Sequence, residues 1–274
     1  MGIAIIAAVA VLLARRAPAA RPTGAAGGVA GRWQGLTAVR SNAPEWVLGT
    51  VQLGVIIAGG AVVVYGVMAL LGLLVVHHGL TIDRPIFNWT IAHQVHVWAQ
   101  VMKRATEIGD TWTTWGAAGA AAACLAWVWH RLRWLPPMAL GALVVVEHFL
   151  TLALRHTFHR LGPPTSPLGT YPSGGCDRVV VFFGLIAYLL WRELSGQRRA
   201  AIWAGAVVVA LAFNEGYSRA YLTLHWFTDI LSGWIYGGLE LVVFIVAVRF
   251  VAGPAIVSDT RSRSEEPEAI SADP

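Results

Sequence analysis

Ser218-Arg219-Ala220-Tyr221-Leu222-Thr223-Leu224-His225-Trp226-Phe227-Thr228-Asp229 sets a cation, an imidazole and a carboxylate at fixed spacing between two apolar runs, 200–213 and 230–248. Polar groups wedged between segments that avoid water mark a membrane surface. With Trp226 starting a helix, His225 and Asp229 stand four residues apart on one face, where a carboxylate holds one ring nitrogen and leaves the other aimed outward. That is the arrangement of an activated nucleophile. Arg219 adds a planar, permanently charged fork suited to phosphate oxygens. Each of the three alone is an ordinary residue for a helix end at an interface; the set points to a phosphate site.

Working outward, 56% of the residues are hydrophobic and 13% charged, and the mean hydropathy is +0.60. This excludes an ordinary soluble domain and implies an all-α integral membrane protein. A helical span needs about 20 apolar residues at about 1.5 Å each. Trp46 to Val76, Thr111 to His130, Trp134 to Leu154 and Ile230 to Val248 qualify directly. Val179 to Trp191 and Ala200 to Phe213 qualify once their helices run into flanking polar residues whose long side chains snorkel. The expectation is a six-span bundle. Arg131 and Arg133, then Arg192, Arg198 and Arg199, mark two connections as cytoplasmic, as do the arginines before Trp46. The loops holding Ser173 and His225 then face outward, from the plasma membrane of a bacterium.

Three regions are expected: an apolar stretch and flexible basic arm over 1–45, a membrane domain over 46–252 and a disordered acidic tail over 253–274. In Met1 to Ala14 the arginine pair follows the apolar run, so no signal peptide is assigned, and an embedded segment or a mis-assigned start both stay open. Asp83 to Gly109, with Trp89 and Trp98, reads as an amphipathic segment lying on the outer surface. His77, His78, His93 and His96 read as interfacial anchors, and no pair has metal-ligand spacing. Cys124 and Cys176 differ too much in expected depth to suggest a disulfide. No nucleic-acid motif is present. Membrane lipids and a lipid phosphate are the implied partners, and the oligomeric state stays open.

A second outer loop carries chemistry. Pro172-Ser173-Gly174-Gly175 precedes an apolar helix, so a hydroxyl and several unpaired N–H groups converge as at an anion site. Glycines let the backbone approach bound oxygens closely. Arg155 ends the preceding span, and Arg160 and Arg178 lie on the same loop or its edge. Glu147 and Glu240 are ionisable groups inside spans, where pairing with a polar neighbour or sharing one proton between them are both open.

In order, Arg155, Pro172-Ser173-Gly174 and Ser218-Arg219 with His225 and Asp229 resemble the three motifs of the type 2 phosphatidic acid phosphatase family, over about residues 46–250. The third motif matches throughout. The resemblance implies that His225 forms a phosphohistidine, Asp229 orients it, Arg219 and Ser173 bind phosphate, and no metal or other cofactor is needed. It departs elsewhere. Where the family has Lys, six residues and Arg-Pro, this chain has Arg155, six residues and Gly162-Pro163, leaving Arg160 or Arg178 to fill the gap. Where the second motif ends in its general-acid histidine, this chain has Gly175. A positioned acid contributes roughly 10²–10⁴-fold when an alkoxide leaves, and much less when the leaving group is already a phosphate anion. Hydrolysis of a prenyl or polyprenyl diphosphate is therefore the leading expectation. Phosphomonoester hydrolysis stays open if His156, His159 or Asp177 supplies the acid. Two rivals are a catalytically impaired lipid-phosphate binding or transport protein and a prenyl-diphosphate cyclase or transferase, the latter with the π-faces of 13 tryptophans for a carbocation.

Overall fold

The computed structural model describes residues 45–129, 132–166, 170–193 and 198–264, the side chains of Glu45, Glu193 and 254–264 excepted. The apolar start and basic arm lie outside these residues. The described chain is helical: α1 Glu45–His78, α2 Leu80–Ala92, α3 His96–Ala105, a 3₁₀ turn Thr106–Gly109, α4 Thr111–Val128, α5 Leu135–Phe158, α6 Gly174–Glu193, α7 Arg198–Tyr221 and α8 Phe227–Ser264.

Five of these, α1, α5, α6, α7 and α8, are long and apolar enough to cross a membrane. The remaining expected span, α4, forms as a helix of 18 residues but falls short of the other five by composition. Its alanines, glycines and threonines contribute little apolar surface. The tail expected to be disordered from 253 onward is helical through Ser264, the backbone continuing across Gly253-Pro254.

Apolar side chains sort by what they meet. Leu53 and Ile57 of α1, Leu140 and Leu143 of α5, Phe182 and Leu185 of α6 and Phe244 of α8 form one buried core. Trp127, Val209 and Leu70 face outward as lipid-facing residues should. A second cluster, Val64, Met68, Leu154, Tyr171 and Tyr236, lies towards the end where α1, α5 and α7 finish and α6 and α8 begin. That end carries the site. There α8 approaches the start of α6 so closely that a Cβ on Gly237 would lie 2.6 Å from the Asp177 carbonyl oxygen.

The surface segment expected over Asp83 to Gly109 is α2, α3 and the 3₁₀ turn. Val97, Trp98 and Val101 of α3 are exposed, and Lys103 and Arg104 occupy its last turn. Polar bonds dock this segment on α7: Gln94 Nε2 donates to the Tyr221 carbonyl at 2.9 Å, and Asn214 Nδ2 donates to that of Ala105 at 3.1 Å.

Candidate active site

Two connections, α5–α6 and α7–α8, deliver most of the side chains. Helix α5 ends at His159, a C-cap with φ 43° whose N–H bonds the Arg155 carbonyl at 3.0 Å. The loop returns through a cis Tyr171-Pro172 peptide to Ser173. The Ser173 N–H donates to the Asp229 carbonyl at 3.1 Å, tying the entrance of α6 to the first turn of α8. Helix α7 closes at Thr223, φ 53°, where the Leu224 N–H bonds the Arg219 carbonyl at 3.0 Å. Trp226 caps α8, its carbonyl accepting from Asp229 and Ile230.

His225 therefore precedes the cap and does not share a helical face with Asp229. Its Nδ1 pairs with the Thr170 carbonyl at 3.2 Å. Its Nε2 lies 3.1 Å from Arg219 Nη1. Arginine only donates, so Nε2 accepts and Nδ1 carries the proton. Asp229, expected to orient the imidazole, instead receives Arg160 on one oxygen and the Thr170 hydroxyl on the other. Its link to His225 runs through Thr170, whose hydroxyl holds the carboxylate while its carbonyl holds the ring. Burial pushes the His225 imidazole down to about 3, helped by the charges of Arg219, Arg155 and Arg178 and opposed by the Thr170 bond. The ring is neutral at pH 7, with its lone pair on Nε2.

Three guanidinium groups gather at the start of α6. A Cβ on Gly174 would lie 3.1 Å from Arg155 Nη2 and 3.1 Å from Arg178 Nη1. A Cβ on Gly175 would run into the guanidinium of Arg219. The volume where the resemblance expects a histidine thus holds an arginine. Arg155 is exposed, and its guanidinium has no hydrogen-bond partner among the described residues. Arg178 is braced, Nε donating to the Gly109 carbonyl at 3.0 Å and Nη1 lying 3.2 Å from Glu147 Oε1. Arg219 Nε is gripped by Glu215 Oε1, and its Nη2 lies 3.7 Å from Asp110. Ser173 Oγ is fully buried, has no oxygen or nitrogen partner among the described residues and faces the Cys176 thiol. With the unpaired N–H groups that open a helix, this is a cradle for an anion.

Other expectations change. Arg160, read as a substrate ligand, points elsewhere: besides Asp229 it meets Asp83 Oδ2 at 2.6 Å and Thr228 Oγ1 at 3.0 Å. Asp83 also accepts from the Thr228 N–H and hydroxyl at 2.9 and 2.7 Å, so it caps α8 while neutralising Arg160. The second cation beside Arg155 is Arg178. Glu147 pairs with Arg178, and both oxygens of Glu240 lack a hydrogen-bond partner among the described residues. Asp177 is fully buried among Glu240, Glu147 and Arg178, which turns it towards the bundle interior. His156 and His159 pack edge-on, with centroids 6.1 Å apart, on the exposed side of the loop. Among the described residues no group of His, Cys, Asp and Glu has a metal-holding arrangement.

Thr170, Asp83 and Glu215 were missed by sequence reasoning. Glu215, four residues before Arg219 on one helix, carried a readable signal. Thr170 and Asp83 carried none, because their partners lie 55 to 145 residues away.

Residues 136–252 match the family profile described as PAP2 superfamily. No curated protein matches the chain in sequence. Among solved structures, the chain resembles a transmembrane PAP2-type phosphatidylglycerolphosphate phosphatase from Bacillus subtilis, with a TM-score of 0.59 and 20% identity over 69% of this chain and 94% of that one. At that identity the likeness is one of fold.

Proposed function

Because residues 136–252 belong to the PAP2 superfamily, the type 2 phosphatidic acid phosphatases, on a bundle of membrane-length helices, we propose that the protein is a lipid-phosphate phosphatase whose preferred substrate is a prenyl or polyprenyl diphosphate. The observation that carries this reading is the neutral Nε2 of His225 set 3.1 Å from Arg219 beside the α6 cradle, with a guanidinium and no acid over Gly175.

The terminal phosphate enters with two or more negative charges and meets Arg155, Arg178, Arg219, Ser173 Oγ and the N–H groups of Gly174 and Gly175. Nε2 of His225 attacks phosphorus in line. The bond to the bridging oxygen breaks, and its electron pair leaves with a prenyl monophosphate anion. The proton on Nδ1 stays with the Thr170 carbonyl, which steadies the cationic ring of the phosphohistidine. Water then attacks phosphorus, the N–P bond breaks, and inorganic phosphate leaves with the imidazole neutral again. No step draws a proton from position 175. An alkoxide leaving group would need one, which supports diphosphate over monoester.

The remaining features fit a long lipid. An apolar groove of about 300 Å³ runs between α6 and α7, lined by Phe183, Ile186, Leu190, Val207 and Leu211, in the half of the bundle away from the site, where the far part of a long tail would lie. The site occupies the end opposite Arg133, Arg192 and Arg198, so the charge rule supports an outward-facing position.

The test is phosphate release from a polyprenyl diphosphate by purified protein in detergent with EDTA, beside His225→Ala. Release lost in the variant, with an acid-labile phosphoryl group trapped on His225, is expected. Equal release from both proteins sinks the mechanism. Binding without release returns the chain to the lipid-phosphate carrier reading, and diphosphate departure with a rearranged hydrocarbon to the cyclase.

A further inference from the structure

Arg219 Nη1 donates to the His225 ring nitrogen that must attack, so the proposed nucleophile is capped. The same guanidinium sits against Gly175, where the phosphate cradle opens. A fork serving both partners in turn must swing without leaving the site, which requires a fixed point. Glu215 supplies it. Its Oε1 takes Arg219 Nε, leaving the two terminal nitrogens, Nη1 now on His225, to turn about that bond. Glu215 is itself fully buried and pinned, Thr106 Oγ1 donating to the same oxygen at 3.2 Å. The turn holding Thr106 packs so tightly that a Cβ on Gly109 would collide with the Glu215 carboxylate.

We propose that Glu215 is a positioning residue, the pivot on which Arg219 turns from capping His225 to gripping the incoming phosphate, so that substrate binding itself uncovers the nucleophile. The proposal rests on the phosphatase reading only in naming the anion as phosphate. The charged groups facing this pivot are Arg219 on α7 and Asp110 before α4, and those facing the imidazole are Arg219, Arg155 of α5 and Arg178 of α6.

The chemistry predicts a signature separate from turnover. Diethyl pyrocarbonate acylates neutral, uncapped imidazole, and modification of His225 is followed by peptide mass spectrometry on the full chain in detergent. In the wild-type protein the rate at His225 is slow and flat between about pH 5.5 and 7.5, because the ring is neutral throughout. In Glu215→Gln the guanidinium loses its anchor. Modification then quickens by about fivefold or more across that range and stays flat with pH, because burial and the remaining guanidinium groups still hold the ring neutral while its Nε2 is no longer capped. Arg219→Gln gives the same profile. Calorimetric binding of inorganic phosphate to Glu215→Gln weakens by about tenfold, since the fork is no longer aimed.

Thr106→Val, which removes one hydrogen bond to Glu215 and keeps the side-chain volume, shifts both readouts the same way by less and stands in if Glu215→Gln does not fold. A Glu215→Gln profile that superimposes on wild type while Arg219→Gln shifts overturns the pivot. Profiles unchanged in both variants overturn the cap. A wild-type protein that shows the predicted acylation pattern and binds phosphate, but releases none from a diphosphate, loses the phosphatase reading and keeps the pivot; one that does not bind phosphate overturns the pivot.

Discussion

His225 is kept neutral by burial and by three nearby guanidinium groups, so its protonation does not switch activity in the physiological range. The kcat/KM profile for diphosphate hydrolysis is expected to lack an acid limb at the ordinary imidazole value, between about pH 5.5 and 7.5. Stability follows the same shift with a definite sign. The folded ring titrates at about 3, and an unfolded one at about 6.5, so the unfolded chain binds the extra proton between those values. The stabilisation is present above the unfolded value and lost as pH falls towards the folded one. Thermal melts from neutral to acid pH should show His225→Gln losing less stability than wild type. Arg219→Lys keeps the charge and removes the fork that reaches Glu215 and His225 at once and, on the proposed reading, turns to a phosphate. Phosphate release by that variant should fall by about 10²-fold or more. Gly175→His, which would restore the family's residue, should lower diphosphate hydrolysis, because Arg219 occupies the space an added side chain needs.

At the scale of elements, the site depends on how α6 starts against α8 and on one pinned ion cluster. Gly237→Leu sets a branched side chain against the Asp177 backbone and should destabilise the fold by about 1–3 kcal/mol or more, read as a lower thermal midpoint in detergent. Asp83 joins α2, the 160s loop and the start of α8. Asp83→Ala leaves Arg160 with one carboxylate fewer and Thr228 uncapped, with an expected cost of about 3–5 kcal/mol; Asp83→Asn, which keeps an oxygen for the Thr228 N–H, should lose less. These contacts also separate what the sequence reveals from what it conceals. The apolar runs outline the helices because burial in lipid acts on every residue of a span. The Ser-Arg, His and Asp spacing picks out the loop between α7 and α8, and Ser173-Gly174 the start of α6, because a helix start is a local event. The exchange of Arg160 for Arg178 could not be read from spacing. Both are arginines near one loop, and what divides them is that Asp83 lies beside one and the Gly109 carbonyl beside the other. The Asp229 partnership failed for a related reason. A start of α8 at Phe227 rather than Trp226 takes His225 off the helical register.

For the whole molecule, the proposed reading makes the arginine over Gly175 the feature that favours a leaving group needing no acid. A prenyl diphosphate and the corresponding monophosphate, compared on one preparation, should differ in kcat by roughly 10²–10⁴-fold in favour of the diphosphate. Comparable rates would mean that another residue donates the proton. One dimension of the bundle bears on how the headgroup arrives. Helix α4 has 18 residues, or about 27 Å of rise, against a hydrocarbon layer of about 30 Å. It begins directly after the turn that braces Arg178 and Glu215. On the six-span reading, in which α4 crosses beside the five membrane-length helices, lipid next to it is expected to thin and bring headgroups down towards the arginines on that flank. Bilayer thickness then becomes a control on turnover: in vesicles of graded acyl length, hydrolysis should be fastest in the thinner membranes and slow as the chains lengthen, with detergent micelles, which impose no thickness, insensitive to the series.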